Sequence, residues 1–185
     1  MPKTVLVPIA DGTEEIEAIC IIDVLRRAGA NVTVASVTLD LSITASRGVK
    51  LVADRLLKDC LQIKFDLIVL PGGMPGAEHL RDSHHLKKLL EAQQKENRLY
   101  GAICAAPVVV LQHHGLLGKR QATCYPGFED KLKNADTTGQ KVVVDGNCVT
   151  SRGPGTALEF AIKLIELLYS EKKSKEIAKD LLMTI

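Results

Sequence analysis

The chain has 185 residues, 46% hydrophobic and 25% charged and without Trp, enough for one domain with a sizeable core and too few for two. Its 24 basic and 22 acidic residues leave a formal net charge of +2 spread along the sequence, so no nucleic-acid partner is expected on charge grounds, and no stretch approaches the roughly 20 apolar residues of a membrane span. The start, "MPKTVLVPIADG", lacks the hydrophobic region and small-residue cleavage site of a secretory signal, which points to the cytoplasm, or to an organelle if a targeting segment has been removed.

In chain order, "TVLVPIA" (4–10) reads as a strand ended by "DGT", and residues 14–28 carry apolar positions at helical spacing until Gly29 stops them. "NVTVASV" (31–37) is a second strand. "LSITASRGVKLVAD" reads as two short strands turning near Arg47 and Gly48, followed by a short amphipathic piece, "DRLLKDCLQ". "FDLIVLPGG" (65–73) is the nearly continuous apolar run of a strand buried on both faces, and a helix is expected over about 76–96. The stretch "LYGAICAAPVVVLQHHG" (99–115) then passes from strand to helix at Cys104, with Ala105, Ala106 and Pro107 opening the helix. After "QATCY" come a hairpin candidate, "KVVVDGNCVTS", with its Asp145-Gly146 turn, and a long helix, "TALEFAIKLIELLYS". "EKKSKEIAKDLLMTI" closes the sequence as a lysine-rich amphipathic helix docked by Ile177, Leu181 and Leu182. Strands alternating with helices imply an α/β fold, a flavodoxin-like three-layer sandwich with a mainly parallel sheet, whose ligands sit beyond the carboxyl ends of the strands.

The informative residues should therefore follow strands. Cys104 stands where a helix N-terminus offers unpaired N–H groups and positive potential, which favours thiolate and pulls a thiol pKa down toward roughly 3.5 to 7.5. The alternative is a small residue filling a tight turn. Glu17 heads an inward stripe completed by Ile21, Val24 and Ala28, so partial burial would raise its pKa into the range of a general acid or base. Against this stands a third solvated first-turn glutamate beside Glu14 and Glu15, which read as ordinary helix-start acids. Gly72 and Gly73 in "LPGGMPG", with the Ala105 amide, are candidate oxyanion donors or a plain turn. Arg152 in "TSRGPGT" and Arg47 in "SRG" either hold a small carboxylate or tie loops together. Of the five cysteines, the four other than Cys104 read as small buried hydrophobes, and the odd total of five without CxxC spacing argues against disulfides and zinc. His84 and His85 open a polar helix, and His113 and His114 end the Cys104 helix a turn or more from the sulfur. No metal-ligand spacing and no GxGxxG or GK[ST] loop is present, so neither metal nor cofactor is expected.

Taken together, "GTEEIEA", "VLPGGMPGAE", "GAICAAP", "CYP" and "TSRGPGT", in that order, resemble the ThiJ/PfpI superfamily and within it the parkinsonism-associated protein deglycase branch. Ala105, rather than His, follows the cysteine, unlike the protease-like and amidotransferase-like branches. The resemblance implies a homodimer with an oxidation-sensitive nucleophile at Cys104 hydrogen-bonded to a protonated Glu17. Arg47, Arg152, Pro154 and Tyr125 are candidate anion or pocket contacts. It further implies a cofactor-independent glyoxalase acting on methylglyoxal or another small dicarbonyl or aldehyde, with deglycase activity on early glycation adducts. Redox sensing and chaperone action form the alternative. Two positions depart from the branch: Tyr125 stands before Pro126 where many relatives have His, and Ala45 replaces a cysteine some carry before "SR".

Overall fold

The computed structural model describes residues 2–133 and 139–184. Strand β1 (Thr4–Ile9) lies near the centre of a seven-stranded sheet and leads into α1 (Glu15–Arg27) and β2 (Asn31–Ser36). A two-stranded antiparallel hairpin, β3 (Ser42–Thr44) and β4 (Lys50–Val52), stands apart from the main sheet and turns at Arg47 and Gly48 as the sequence suggests. Next come β5 (Arg55–Leu56), β6 (Leu67–Leu70), α2 (Gly76–Asp82), α3 (His84–Lys95) and β7 (Leu99–Ile103). The chain ends with β8 (Val142–Asp145), β9 (Cys148–Ser151), α4 (Ala157–Leu168) and α5 (Glu171–Asp180). The sheet order is β5-β2-β1-β6-β7-β9-β8, with every pairing parallel except β8 with β9.

Alternation along β1 explains the layers. Val5, Val7 and Ile9 pack toward α1, α4 and α5 with Ile21, Leu25, Phe160, Leu164 and Ile177. Leu6 points the other way, into a second core with Ile68, Leu80, Leu86, Leu90, Tyr100 and Leu111. Covered on both faces, the central strands are apolar throughout, which is why 67–70 is an unbroken LIVL run. The chain steps from β2 on one side of β1 to β6 on the other, and that reversal opens a crevice at the carboxyl ends of β1 and β6.

Several boundaries differ from the sequence reading. The single helix expected over 76–96 is two, because Ser83 leaves the helical region and its hydroxyl accepts the Leu86 N–H as the cap of α3 (3.3 Å). "DRLLKDCLQ" gives the short strand β5 and one 3-10 turn, Leu57–Cys60, since Asp54 ties this segment to β2 through its carboxylate on the Val34 N–H (2.8 Å) and its own N–H on the Val34 carbonyl (2.9 Å). The helix after Cys104 is a wider π-helical segment over Pro107–Gln112. "QATCY" forms no strand and leads into a 3-10 turn at Pro126–Lys131. In the last helix Ile177 is buried as expected, but Leu182 is 93% exposed and lies beyond the end of α5. Cys60, Cys124 and Cys148 are buried, while Cys20 is only half-buried on α1.

The loop after β6 packs backbone to backbone against the loop after β1. The Glu14 N–H donates to the Gly72 carbonyl (3.0 Å), and a Cβ at Gly73, whose φ is +88°, would overlap Glu14 N and Gly12 O. Gly29 has nearly the same φ, +89°, with nothing within 4 Å of a Cβ. Alanine at Gly29 therefore costs only the left-handed conformation, about 1 kcal/mol, whereas alanine at Gly73 adds steric displacement and costs more than about 2 kcal/mol. Urea unfolding of the two variants tests this difference.

Candidate functional site

Cys104 occupies a sharp turn between β7 and the segment that begins at Pro107, and its φ of +65° is one that non-glycine residues rarely adopt. Two backbone bonds hold it there. Its N–H donates to the Ser151 carbonyl (3.1 Å), extending the β7–β9 pairing by one residue, and its carbonyl accepts the Tyr125 N–H (2.8 Å). The side chain is half-buried, and the amides of Gly73 and Ala105 lie beside its sulfur, where each works to lower the thiol pKa.

Glu17 sits in the first turn of α1 and is fully buried. Its Oε2 accepts the Gly72 N–H (2.7 Å). The Cys104 thiol lies beside the carboxyl, close enough to interact with it but without giving Oε1 a well-formed hydrogen bond, so among the described residues Oε1 is a buried acceptor lacking a donor. Charge on such an oxygen is costly, and protonation removes the cost. Burial accordingly raises the Glu17 pKa from 4.5 to about 7, the charge of Glu14 adds to the rise, and the Gly72 amide and the thiol oppose it.

The same burial pushes the Cys104 thiol up to about 12, with the Glu17 carboxylate as second cause and the Gly73 and Ala105 amides pulling the other way. This corrects the lowered thiol pKa expected from a helix start: loss of solvent and a neighbouring carboxylate outweigh two amides. The two groups are one titrating pair. When Glu17 holds the proton, the repulsion acting on a thiolate is gone.

The glycine loop divides its donors. The Gly72 amide is engaged by Glu17, which removes it from the expected oxyanion set and leaves Gly73 and Ala105 facing the sulfur. Gly72 also sets the spacing, because a Cβ there would lie 2.6 Å from Cys104 Cβ and 3.0 Å from Glu17 Oε2.

The arginines are placed differently. Arg47 is exposed; its guanidinium donates to the Ser46 carbonyl (3.3 Å), and its N–H donates to Glu15 Oε1 (2.8 Å). Arg152 pairs with Glu129 (2.7 Å) and so ties the turn after Tyr125 to the loop after β9, the loop-tying role weighed from sequence. Tyr125, Arg152 and Pro154 line one surface groove of about 410 Å³ with Lys141 and Thr156, and the Tyr125 ring lies over Gly153.

Sequence reasoning missed two contributors, Glu14 and Glu15, and the backbone role of a third, Tyr125. Glu14 is the N-cap of α1, its Oε2 accepting the Glu17 N–H (2.8 Å). Glu15 is 8% exposed and anchors the β3–β4 turn through Ser46 Oγ (2.7 Å) and the Arg47 N–H. Tyr125 acts through its backbone on the Cys104 turn, a role with no side-chain signal in the sequence.

The chain that carries this arrangement is similar to known proteins along most of its length. The sequence pattern of the DJ-1/PfpI family matches residues 3–167. "Protein DJ-1 homolog B" of Arabidopsis thaliana is 50% identical over 179 residues, 97% of this chain, yet the chain spans only 41% of that relative's length. A second Arabidopsis relative is spanned over 47% of its length. "Glutathione-independent glyoxalase DJR-1.2" of Caenorhabditis elegans is 38% identical, with 96% of this chain and 94% of that protein covered. Among solved structures, "Toxoplasma gondii DJ-1, oxidized" superposes with a TM-score of 0.96 at 49% identity over 99% of this chain and all of that one. Drosophila melanogaster DJ-1beta gives 0.95 at 43% identity with both chains covered completely. Family pattern, relatives and fold agree along nearly the whole sequence, and the chain belongs to the DJ-1/PfpI family.

Proposed function

We propose that the protein is a cofactor-independent glyoxalase that converts methylglyoxal or a similar small dicarbonyl to the 2-hydroxy acid, and that it acts on early glycation adducts by the same addition chemistry. The observation that carries this reading is the pairing of a nucleophile under two amides with a buried acid whose pKa is about 7. The relative named as a glutathione-independent glyoxalase supports it. The Cys104 sulfur adds to the aldehyde carbon, and the new oxyanion is held by the Gly73 and Ala105 amides. Glu17, having protonated that oxygen, takes the C–H proton from the same carbon, giving an enediolate; it returns that proton to the adjacent carbon while the hydroxyl proton of the first carbon passes to the second oxygen, which leaves a 2-hydroxy thioester. Water hydrolyses the thioester to the acid and restores the thiol. Cys104→Ser and Glu17→Gln are each expected to lower lactate formation from methylglyoxal by at least about 100-fold while remaining folded; retained turnover in either variant rejects the mechanism.

The same two amides and neutral acid would also hold the oxygens of a cysteine sulfinate, which keeps the redox-sensing or chaperone reading open. The description of the Toxoplasma relative as oxidised favours weighing it. Oxidation of Cys104 that changes client binding, in a protein that produces no lactate when freshly reduced, would select it.

Glu17 should also be visible in stability. Its folded pKa is raised from 4.5 to about 7, so the folded state keeps a proton that the unfolded chain releases. The resulting stabilisation is present in full below pH 4.5 and is lost as pH rises to about 7, a change of about 3 kcal/mol. Unfolding free energies measured across that window are expected to fall in the wild type and to lose this slope in Glu17→Gln.

A homodimer is proposed through the α1 face. Ile16, Ile19 and Leu158 are exposed there, and with Cys20, Val24, Ala157 and Pro154 they line an apolar groove of about 410 Å³ that reaches the same Pro154 as the Tyr125 groove. A second copy covers this face and stands close to the site. Leu158→Arg is expected to halve the mass seen by sedimentation equilibrium.

A further inference from the structure

Three hydrogen bonds close a ring at the Glu17 carboxyl. The Glu14 N–H donates to the Gly72 carbonyl (3.0 Å), the Gly72 N–H donates to Glu17 Oε2 (2.7 Å), and the Glu17 N–H donates to Glu14 Oε2 (2.8 Å). Glu14 thus grips the acid's setting twice, by backbone through the glycine loop and by side chain through the helix start. Capping alone does not ask for this residue, since Asn, Asp, Ser and Thr lead at the N-cap position. A glutamate there places a second carboxylate within one turn of Glu17, an arrangement that like-charge repulsion disfavours unless one of the two is neutral.

We propose that Glu14 is a positioning residue for the Glu17–Cys104 pair: its side chain fixes the first turn of α1 with the Glu17 carboxyl against the thiol, and its negative charge keeps the proton on Glu17. The inference rests on the reading of Glu17 and Cys104 as the reacting pair. From the elements packed against it, Glu17 is faced by the Gly72 amide after β6 and the Cys104 thiol after β7, and on its own element by Glu14. The amide favours the charged carboxylate; Glu14 works against it.

The consequence appears in the reactivity of the sulfur. At low pH both members of the pair hold protons. Loss of the first proton populates a thiolate beside neutral Glu17, in fixed ratio with the reverse arrangement, so alkylation of Cys104 rises through that first step and then levels. Charge at position 14 sets where the step falls.

The test is the rate of iodoacetamide alkylation of Cys104 as a function of pH on the full chain, resolved by peptide mass from the other four cysteines. The wild type should show an inflection near pH 7. Glu14→Gln should move it toward acid by roughly half a unit, and Glu14→Asp should bring it back. Glu14→Ser is the structural control: it restores a good cap without charge, so stability near wild type together with a shifted inflection separates charge from helix capping. An inflection that stays in place in both the Gln and Ser variants overturns the proposal and leaves the pair intact, provided Glu17→Gln abolishes it. An inflection that survives Glu17→Gln overturns the pair reading, and the role of Glu14 with it.

Discussion

The hydrogen bond from the Gly72 amide to Glu17 Oε2 is the contact on which the site depends. It joins the loop after β6 to the first turn of α1, elements 55 residues apart in sequence, inside a fully buried setting. A carboxyl placed there without a donor would be desolvated with nothing in return. The donor, in turn, is close enough only because residue 72 has no side chain: a Cβ would press on Cys104 Cβ at 2.6 Å and on the Glu17 oxygen at 3.0 Å. One glycine therefore decides both that the acid is held and that it is held beside the sulfur.

That single donor leaves the carboxyl half satisfied, and the electrostatics follow from the imbalance. A second amide on Oε1 would stabilise the carboxylate and lower its pKa; without one, burial dominates and the acid holds its proton up to about pH 7. The amides of Gly73 and Ala105 act on the sulfur instead. The fold thus assigns its amides unevenly, one to the acid and two to the sulfur, where they oppose the rise in thiol pKa that burial and the facing carboxylate cause. The left-handed backbone of Cys104 keeps that distribution from relaxing, because the turn is pinned on one side by Ser151 and on the other by Tyr125.

What the sequence made legible is what periodicity and local chemistry encode. The alternating strands and helices, the buried LIVL run and the hairpin at Asp145-Gly146 each carry their own signal, and the three-layer fold follows from them. Cys104 and Glu17 were legible for a related reason, one lying at a strand-to-helix corner and the other on the inward stripe of α1. The rest depends on pairings that local sequence does not record. Ser83 breaks a helix whose apolar spacing continues across it, and the Gly72 amide, expected among the oxyanion donors, belongs to an acid on a distant helix. The direction of the thiol pKa is not legible for the same reason: the helix-start amides are local and visible, whereas the burial and the facing carboxylate come from tertiary packing.

The identity of residue 125 bears on how protons travel under the proposed chemistry. With Tyr125 in that place, the neighbouring side chain offers a phenol that is 46% exposed, while its backbone N–H is committed to the Cys104 carbonyl. His79 and His114 are engaged with the carbonyls of Asp11 and Arg81. Glu17 must then act in both directions, giving a proton to the first oxyanion and taking one from carbon. A group does this best when its pKa lies near the working pH, since the cost of leaving either protonation state is then smallest. Partial satisfaction of the carboxyl supplies that condition: an acid with two amides would be too weak a base, and one with none would hold its proton too firmly to return to carbon as a carboxylate. The missing donor on Oε1 is in this sense a requirement of the site.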